Sequence, residues 1–206
     1  MATLARPPVT SQVLERLAAA LRQAGALAAE LARRPLAVDE KTPGDPVTEA
    51  DRAADRLLRE LLAALPLGDE GDAGGEPAGW LSEETADDGA RLGRRRAWVV
   101  DPLDGTREYV AGIPEWCVSV GLVEDGRPVA GGVYNPAADH LVLGAEGLGV
   151  TFDGAPAAPT GRGGLAGATV LASRSEVDRG EWEGVAERCG CRVVATGSVA
   201  WKLALV

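Results

Sequence analysis

The chain is poor in the side chains that most often bind transition metals. It has one histidine, His140, and three cysteines, Cys117, Cys189 and Cys191, among its 206 residues. These residues form neither a zinc-ligand pattern nor a disulfide framework. The sequence therefore argues against a histidine-rich or cysteine-rich metal centre and favours a reducing compartment. We interpret His140 as a strand or turn residue rather than a catalyst.

Positive charge and long apolar runs are also lacking. The chain has 21 Lys and Arg against 31 Asp and Glu, a net charge of -10. Such a balance argues against nonspecific binding to nucleic acid or to an anionic membrane. No apolar run reaches membrane-spanning length, and we expect no signal peptide ahead of the first helical pattern. We expect a cytoplasmic protein that requires neither nucleic acid nor a membrane, with its oligomeric state undefined by the sequence.

Aromatic residues make up 4% of the chain, so the core must consist mostly of Leu, Val and Ala. Apolar residues at helical spacing predict one helix over Thr10–Arg34 and a second from Thr48 to Pro66. Leu36–Pro46 between them is interpreted as a mixed loop. The acidic, glycine-rich segment Pro66–Gly79 is interpreted as an exposed loop.

Alternating and apolar segments predict several strands after this loop. They are an extended segment at Trp80, an apolar strand ending at Asp101, and further strands over Trp116–Val123, Pro128–Tyr134, Leu141–Leu143 and Gly149–Phe152. A connector rich in Pro, Gly and Ala follows at Ala155–Gly167 and is the candidate domain boundary. Beyond it we expect a strand at Thr169–Ala172, a helix over about Glu176–Arg188, a strand at Arg192–Ala195 and a helix beginning near Ser198.

Two acids stand at the end of an apolar strand, where Asp101 and Asp104 precede Gly105 and Thr106. Carboxylates so placed can share divalent cations, and the neighbouring backbone amides can receive a phosphate oxygen. The alternative is an ordinary turn, since Asp-Pro and Asp-Gly are common turn pairs and Asp often caps a helix. The preceding strand, Pro102 and the Asp-Gly-Thr continuation favour metal-assisted hydrolysis of a phosphate ester.

Two further regions supply acids. Asp51 lies at a helix start, where its alternative role is a capping box with Thr48. Glu83 and Glu84 follow an apolar segment, and on a strand they would point to opposite faces, so that at most one faces a site. Their alternative role is a solvated strand end. Hard oxygen ligands favour Mg²⁺ or Mn²⁺ over zinc, and four acids can support more than one ion.

The order and spacing of three blocks resemble the inositol monophosphatase-like superfamily of Mg²⁺-dependent, lithium-sensitive phosphatases. The blocks are Asp45–Asp51, Leu81–Glu84 and Trp98–Glu108. Within this superfamily, Asp-Pro-Leu-Asp-Gly-Thr followed by a basic residue, Glu and an aromatic is most similar to the 3'(2'),5'-bisphosphate nucleotidase branch. Ser173-Arg174-Ser175, and Gly197-Ser198 ahead of Lys202-Leu203, resemble later blocks of that branch.

The resemblance implies an α/β fold, a layered αβαβα sandwich of the sugar phosphatase/inositol monophosphatase type. An N-terminal α+β metal-binding part would cover residues 1–155, and a C-terminal α/β part residues 156–206. The family has a further Trp-Asp block, whose Asp completes the second metal site, and the sequence stops before it. We therefore expect the C-terminal part to be incomplete.

The resemblance also implies roles for particular residues. Two or three Mg²⁺ ions would be held by Glu83, Asp101, the Leu103 carbonyl oxygen and Asp104. Water activation would use Glu83 with Thr106, supported by Asp51. The substrate would contact Glu83, Leu103, Asp104, Gly105, Thr106, Gly197 and Ser198. Among these, the backbone amides of Gly105 and Thr106 would hold the phosphate. Gly197 and Ser198 would border the leaving group.

The implied activity is hydrolysis of a small phosphate monoester, first of all the 3'-phosphate of adenosine 3',5'-bisphosphate, which gives AMP and phosphate. One alternative is an inositol-phosphate, histidinol-phosphate or sugar-phosphate phosphatase of the same superfamily. Another is a catalytically inactive remnant that binds metal or a protein partner, because the C-terminal ligand block is missing.

Overall fold

Two helices begin the part of the chain that this computed structural model describes, which comprises residues 9–65, 67 and 76–206. Helix α1 spans Ser11–Leu31 and α2 spans Glu49–Ala63. Both predicted helices are confirmed, although each ends before the proline that was expected to stop it. In the predicted Pro66–Gly79 loop, residues 66 and 68–75 lie outside the described residues.

A seven-stranded sheet forms the centre of the fold. Its strands lie in chain order, with the first two parallel and every other neighbouring pair antiparallel. The strands are β3 Gly79–Ser82, β4 Arg96–Asp104, β5 Cys117–Glu124, β6 Arg127–Asn135, β7 His140–Ala145, β8 Gly149–Phe152 and β9 Ala155–Ala157. The strands expected between Trp80 and Phe152 are thus confirmed. His140 is a strand residue, and its Nδ1 lies 2.7 Å from Asp153 Oδ2.

The two faces of the sheet are covered unequally. Trp98 and Val100 point to the face where α1 and α2 pack, and both are buried with Leu17 and Leu58 of the helices. Val99 between them points the opposite way and is 41% exposed. The last helix, α6 (Val199–Ala204), lies against that second face through contacts with β4, β5 and β6.

Two glycines allow α1 to lie close to the sheet. A Cβ on Gly25 of α1 would come within 2.6 Å of Pro136 and 2.7 Å of the Tyr134 ring. A Cβ on Gly132 of β6 would come within 2.6 Å of Leu21, again on α1. The absence of both side chains therefore sets the distance between helix and sheet.

The interpretation of Leu36–Pro46 as a mixed loop is wrong in part, because this segment contains most of a β-hairpin. Strand β1 (Val38–Thr42) pairs antiparallel with β2 (Asp45–Thr48) around Gly44, which has φ +82°. Strand β1 is largely exposed. It has no buried face, so its sequence has no apolar alternation to reveal it.

The C-terminal elements form a smaller unit. Strands β10 (Thr169–Ser173) and β11 (Arg192–Thr196) confirm the two strands expected here, and they pair in parallel. The expectation of a single helix over about Glu176–Arg188 is wrong. Two short helices occur instead, α4 at Arg174–Asp178 and α5 at Val185–Cys189. Gly180 and Gly184 between them have φ +74° and +68°, values that a helix does not accommodate.

The proposed division at residue 155 stays a prediction. Strand β9 pairs with β8 and extends the large sheet to Ala157, just past that point. In the described ranges, the helices are all too short or too polar to cross a membrane.

Candidate active site

Asp51 joins the start of α2 to the site. Its Oδ2 accepts hydrogen bonds from the backbone nitrogen of Thr48 at 2.8 Å and from the Thr48 hydroxyl at 2.7 Å. The capping box read from the sequence is therefore present. The carboxylate is 1% exposed, and its second oxygen reaches a different element. Capping uses only half of this side chain.

That second oxygen receives Thr106, the first residue of helix α3 (Thr106–Val110). The Thr106 hydroxyl lies 3.0 Å from Asp51 Oδ1 and 3.1 Å from the Leu103 carbonyl oxygen. A hydroxyl has one hydrogen, so these two acceptors share it, and the oxygen lone pairs remain as acceptors. The predicted proximity of Thr106 and Asp51 is present.

Gly105, between β4 and α3, has a conformation that side chains disfavour. Its φ is +97°, and a Cβ there would lie 2.9 Å from the Glu115 carbonyl oxygen and 3.3 Å from Ser198 Cβ. The close approach of three segments at this point therefore requires glycine.

Asp101 is half-buried near the end of β4 and lies close to Glu83. Burial, followed by the charges of Glu83 and Asp104, raises the pKa of Asp101 to about 8. The Leu103 backbone nitrogen donates to Asp101 Oδ1 at 3.1 Å and opposes this rise. Such a rise reflects negative charge concentrated in a poorly solvated place, where a cation would be stabilised.

Glu83 and Glu84 lie beyond the end of β3, in a turn. Both contact Lys41 of β1, whose Nζ is 2.7 Å from Glu83 Oε1 and 2.5 Å from Glu84 Oε1. Strand β3 ends at Ser82, so the alternation expected of two adjacent strand residues does not apply to them, and of the two only Glu83 lines the cavity described below. The Glu84 side chain is 6% exposed and that of Glu83 49%.

Lys41 and Glu84 both have shifted pKa values. Burial raises the pKa of Glu84 above its ordinary value, and the Lys41 hydrogen bond reduces that rise. Burial alone would lower the Lys41 pKa, but its bonds to Glu83 and Glu84 outweigh burial and raise it. Lys41 therefore provides a permanent positive charge beside the two glutamates.

Asp104 is held by the start of α6. Its Oδ2 accepts from the Ser198 hydroxyl at 2.6 Å and from the Ala200 backbone nitrogen at 2.5 Å. Glu83 and Asp101 are thus brought together, whereas Asp104 turns one oxygen towards α6. The expectation that all three converge on one point with the Leu103 carbonyl stays a prediction.

Gly197 and Ser198 lie at the site, but their polar groups are already used. The Gly197 nitrogen donates to Glu115 Oε2 at 2.8 Å, and Arg174 forms an ion pair with the same oxygen. Ser198 donates to Asp104. Their expected place beside the leaving group stays a prediction, with these bonds as its structural setting.

A cavity of about 560 Å³ connects these elements. It is lined by Glu83, Leu103, Asp104, Gly105, Thr106, Gly197 and Ser198. Three cationic side chains, Arg107, Arg174 and Lys202, also line it. Every residue expected to contact substrate therefore borders one space, whose wall has these three cations and also the further acids Asp45, Glu108 and Asp178.

Sequence reasoning missed several residues that support the site. Lys41 lies in the hairpin interpreted as a loop, and nothing local singles it out. Cys117 Sγ lies 3.2 Å from Ser198 Oγ, a contact between residues far apart in sequence. Asp55 had a usable signal, since it follows Asp51 by four residues and so shares its face of α2.

Hard oxygen donors at this site fit a divalent cation in an open arrangement. Across residues 9–65, 67 and 76–206, no group of three or more His, Cys, Asp or Glu side chains is placed to hold a metal ion by itself. Mg²⁺ does not need one, because it keeps several waters and takes only one or two carboxylates. Asp101 and Glu83, whose charges repel each other, have with the Leu103 carbonyl and Asp104 the oxygen chemistry that such an ion requires.

Known proteins share both this sequence and this fold. The profile of the inositol monophosphatase family matches residues 10–206. An inositol-1-monophosphatase of Rhizobium meliloti is 40% identical over 119 residues, 55% of this chain and 39% of that protein. A histidinol-phosphatase of Mycobacterium tuberculosis is 38% identical over 122 residues, 58% of this chain and 43% of that protein.

The structural match is broader. The extragenic suppressor protein suhB of Bartonella henselae superposes with a TM-score of 0.76 and 28% identity, covering 95% of this chain and 74% of that one. The expected α/β fold is thus confirmed, while the chain spans less than half the length of the two curated relatives above. Family enzymes are generally metal dependent. With a family match over almost its whole length, the chain belongs to the inositol monophosphatase family.

Proposed function

We propose that this chain provides the core of a Mg²⁺-dependent phosphoric monoester hydrolase. One observation carries the proposal: Thr106, hydrogen-bonded to buried Asp51, borders the same cavity as Glu83. A hydroxyl held by a carboxylate beside a second carboxylate is the arrangement that positions a water for attack. Family membership and the phosphatase names of the relatives support it.

The metal would be held by Glu83, Asp101, Asp104 and the Leu103 carbonyl oxygen. When bound, Mg²⁺ would lower the pKa of a water and neutralise charge on the phosphoryl group. The chain itself would supply a cluster of carboxylates, whose negative charge favours a cation at this site. Two or three ions are proposed, by resemblance to the family.

Thr106 would orient the attacking water. Its hydrogen is directed to Asp51 and the Leu103 carbonyl, so a water beside it must donate a hydrogen to the Thr106 oxygen. That constraint turns a lone pair of the water away from Thr106. Glu83, on the wall of the same cavity, would accept the water's other hydrogen.

For the substrate we propose a small phosphorylated molecule with a second anionic group, first of all adenosine 3',5'-bisphosphate. Arg107 is bonded to the Gly44 carbonyl and Lys202 to the Ser173 hydroxyl, at 2.7 Å for the latter. Since these partners are neutral, both cations keep their charge for a ligand. A second phosphate would meet them, which agrees with the nucleotidase-like motif around Asp104.

Inositol monophosphate is the second candidate substrate. The observation that favours it is the 40% identity to an inositol-1-monophosphatase. The match to a histidinol-phosphatase shows that substrates differ among relatives of similar identity. The substrate must therefore be determined on this protein.

The test is Mg²⁺-dependent release of phosphate from adenosine 3',5'-bisphosphate, inositol 1-phosphate, histidinol phosphate and fructose 1,6-bisphosphate. We expect the highest kcat/KM for the nucleotide. Asp101→Asn, which removes a carboxylate charge, is the control and should abolish turnover. Cation binding without release from any ester would instead identify a catalytically inactive metal-binding protein and overturn the proposal.

A further inference from the structure

Asp55 is a second buried carboxylate on α2, and the activity proposed above gives it no role. It is 6% exposed and lies one turn after Asp51. Its Oδ1 accepts from the Ser82 hydroxyl at 2.5 Å and its Oδ2 from the Thr85 hydroxyl at 2.9 Å. A buried carboxylate is costly unless hydrogen-bonded, and here each oxygen has a donor.

The two donors stand on either side of Glu83 and Glu84. Ser82 and Thr85 also pair with each other as an isolated antiparallel bridge, which closes the four-residue turn. Within it, the Glu84 nitrogen donates to Ser82 Oγ at 3.3 Å, and the Glu83 nitrogen to the Val100 carbonyl at 3.3 Å. Asp55 thus holds both ends of the turn against a rigid helix.

The four-residue spacing of Asp51 and Asp55 links the Ser82–Thr85 turn to the rest of the site. Residues four apart on a helix lie on one face, so Asp51 and Asp55 project the same way from α2. Asp51 holds Thr106, at the start of α3, and Asp55 holds the turn that carries Glu83. The helix therefore fixes the positions of both parts of the site relative to each other.

We propose that Asp55 is a positioning residue, which fixes the Ser82–Thr85 turn so that Glu83 meets Asp101 and the site binds a divalent cation tightly. This inference rests on the proposed function. Groups that orient metal ligands typically account for about 10- to 100-fold in metal affinity. Loss of either hydroxyl should therefore weaken cation binding by that factor.

The experiment compares the parent chain with Thr85→Val and Ser82→Ala, which remove the hydroxyls, and Thr85→Ser, which keeps one. Thr151→Val, on β8 outside the cavity lining, is the matched control. Mn²⁺ affinity is measured by electron paramagnetic resonance. We expect Thr85→Val and Ser82→Ala to bind about 10- to 100-fold more weakly, and the other two variants to bind like the parent.

Hydrogen exchange of the Glu83 and Glu84 amides in metal-free protein gives an independent measure. Both amides should exchange faster in Thr85→Val and Ser82→Ala, and at the parent rate in Thr85→Ser and Thr151→Val. A parent that binds no Mn²⁺ would refute the proposed function, while faster exchange would still support the positioning role. Unchanged affinity and exchange in folded variants would overturn the inference alone. Loss of cooperative unfolding in both hydroxyl-deletion variants would also overturn it, since Asp55 would then support the whole fold.

Discussion

The Ser198 hydroxyl lies 2.6 Å from Asp104 Oδ2 and donates its single hydrogen to that carboxylate. Its oxygen also accepts from the Trp201 backbone nitrogen at 3.0 Å and lies 3.2 Å from Cys117 Sγ. Because the Ser198 hydrogen is used on Asp104, the Cys117 thiol must be the donor in their contact. Burial raises the pKa of Cys117, so the thiol keeps its hydrogen. Ser198 therefore supports Asp104.

Removing this support should weaken cation binding. In Ser198→Ala, Asp104 keeps the Ala200 nitrogen but loses the hydroxyl. We expect an affinity for Mg²⁺ about tenfold lower, as for other groups that orient metal ligands. Isothermal titration calorimetry measures it, with Ser198→Thr as the control that keeps the hydroxyl. Parent-like affinity in Ser198→Ala would contradict the role.

Thr106 provides the second prediction. Thr106→Ala should lower kcat by about 10²- to 10⁴-fold, the usual worth of general-base assistance. Its effect on Mg²⁺ affinity should be smaller, because the hydroxyl is not among the expected ligands. Thr106→Ser keeps the hydroxyl and should retain most of the rate. Equal turnover in Thr106→Ala and the parent would make Thr106 only the first residue of α3.

Gly105 and Gly112 form a matched pair for a stability test. Both have positive φ, +97° and +69°, but a Cβ on Gly112 would contact nothing within 4 Å. Gly112→Ala should cost about 1–2 kcal/mol from left-handed backbone strain alone. Gly105→Ala adds a clash with the Glu115 carbonyl, which also accepts from the Ser198 nitrogen. Urea denaturation should show a larger loss for Gly105→Ala, and equal losses would refute the close approach.

We expect the buried phenol of Tyr109 to make the stability of the fold depend on pH at alkaline pH. Burial, followed by the Asp51 charge, raises the pKa of Tyr109 to about 12 from 10.0. The folded phenol keeps its hydrogen, which it donates to the Ala28 carbonyl at 2.8 Å, while the unfolded chain ionises first. Stability from this group is present below pH 10 and is lost as the pH rises to about 12.

The measurement is urea denaturation between pH 8 and 12 for the parent and Tyr109→Phe. The parent should be more stable at pH 8, and its advantage should shrink through that window because only the parent has the phenol. An advantage that stays constant to pH 12 would contradict the burial of an ionisable group at this position.

Much of the site was predictable because chemistry and local structure coincide in a few blocks. Asp101, Asp104 and Gly105 stand at the end of an apolar strand, and their combination with Pro102 and Thr106 separated a metal site from an ordinary turn. Asp51 was found through its capping box, a local pattern. Helices with one apolar face, such as α1, were equally visible.

What sequence reasoning missed depends on contacts between distant segments. Lys41 reaches Glu83 across 42 positions, and Ser198 reaches Asp104 across 94. No periodicity encodes such pairs. The β1–β2 hairpin was missed because an exposed strand needs no apolar alternation. The break between α4 and α5 was missed because the positive φ of Gly180 outweighs the helical preference of its neighbours.

The two glycines between α1 and the sheet have a consequence far from their own position. Leu21 and Tyr134 occupy the volume that side chains on Gly132 and Gly25 would need, so a methyl group at either place would lift α1. Helix α2 packs on α1 and carries Asp51 at its first turn. An alanine at either glycine would therefore move α1 and with it α2, and so change the position of Asp51 relative to Thr106.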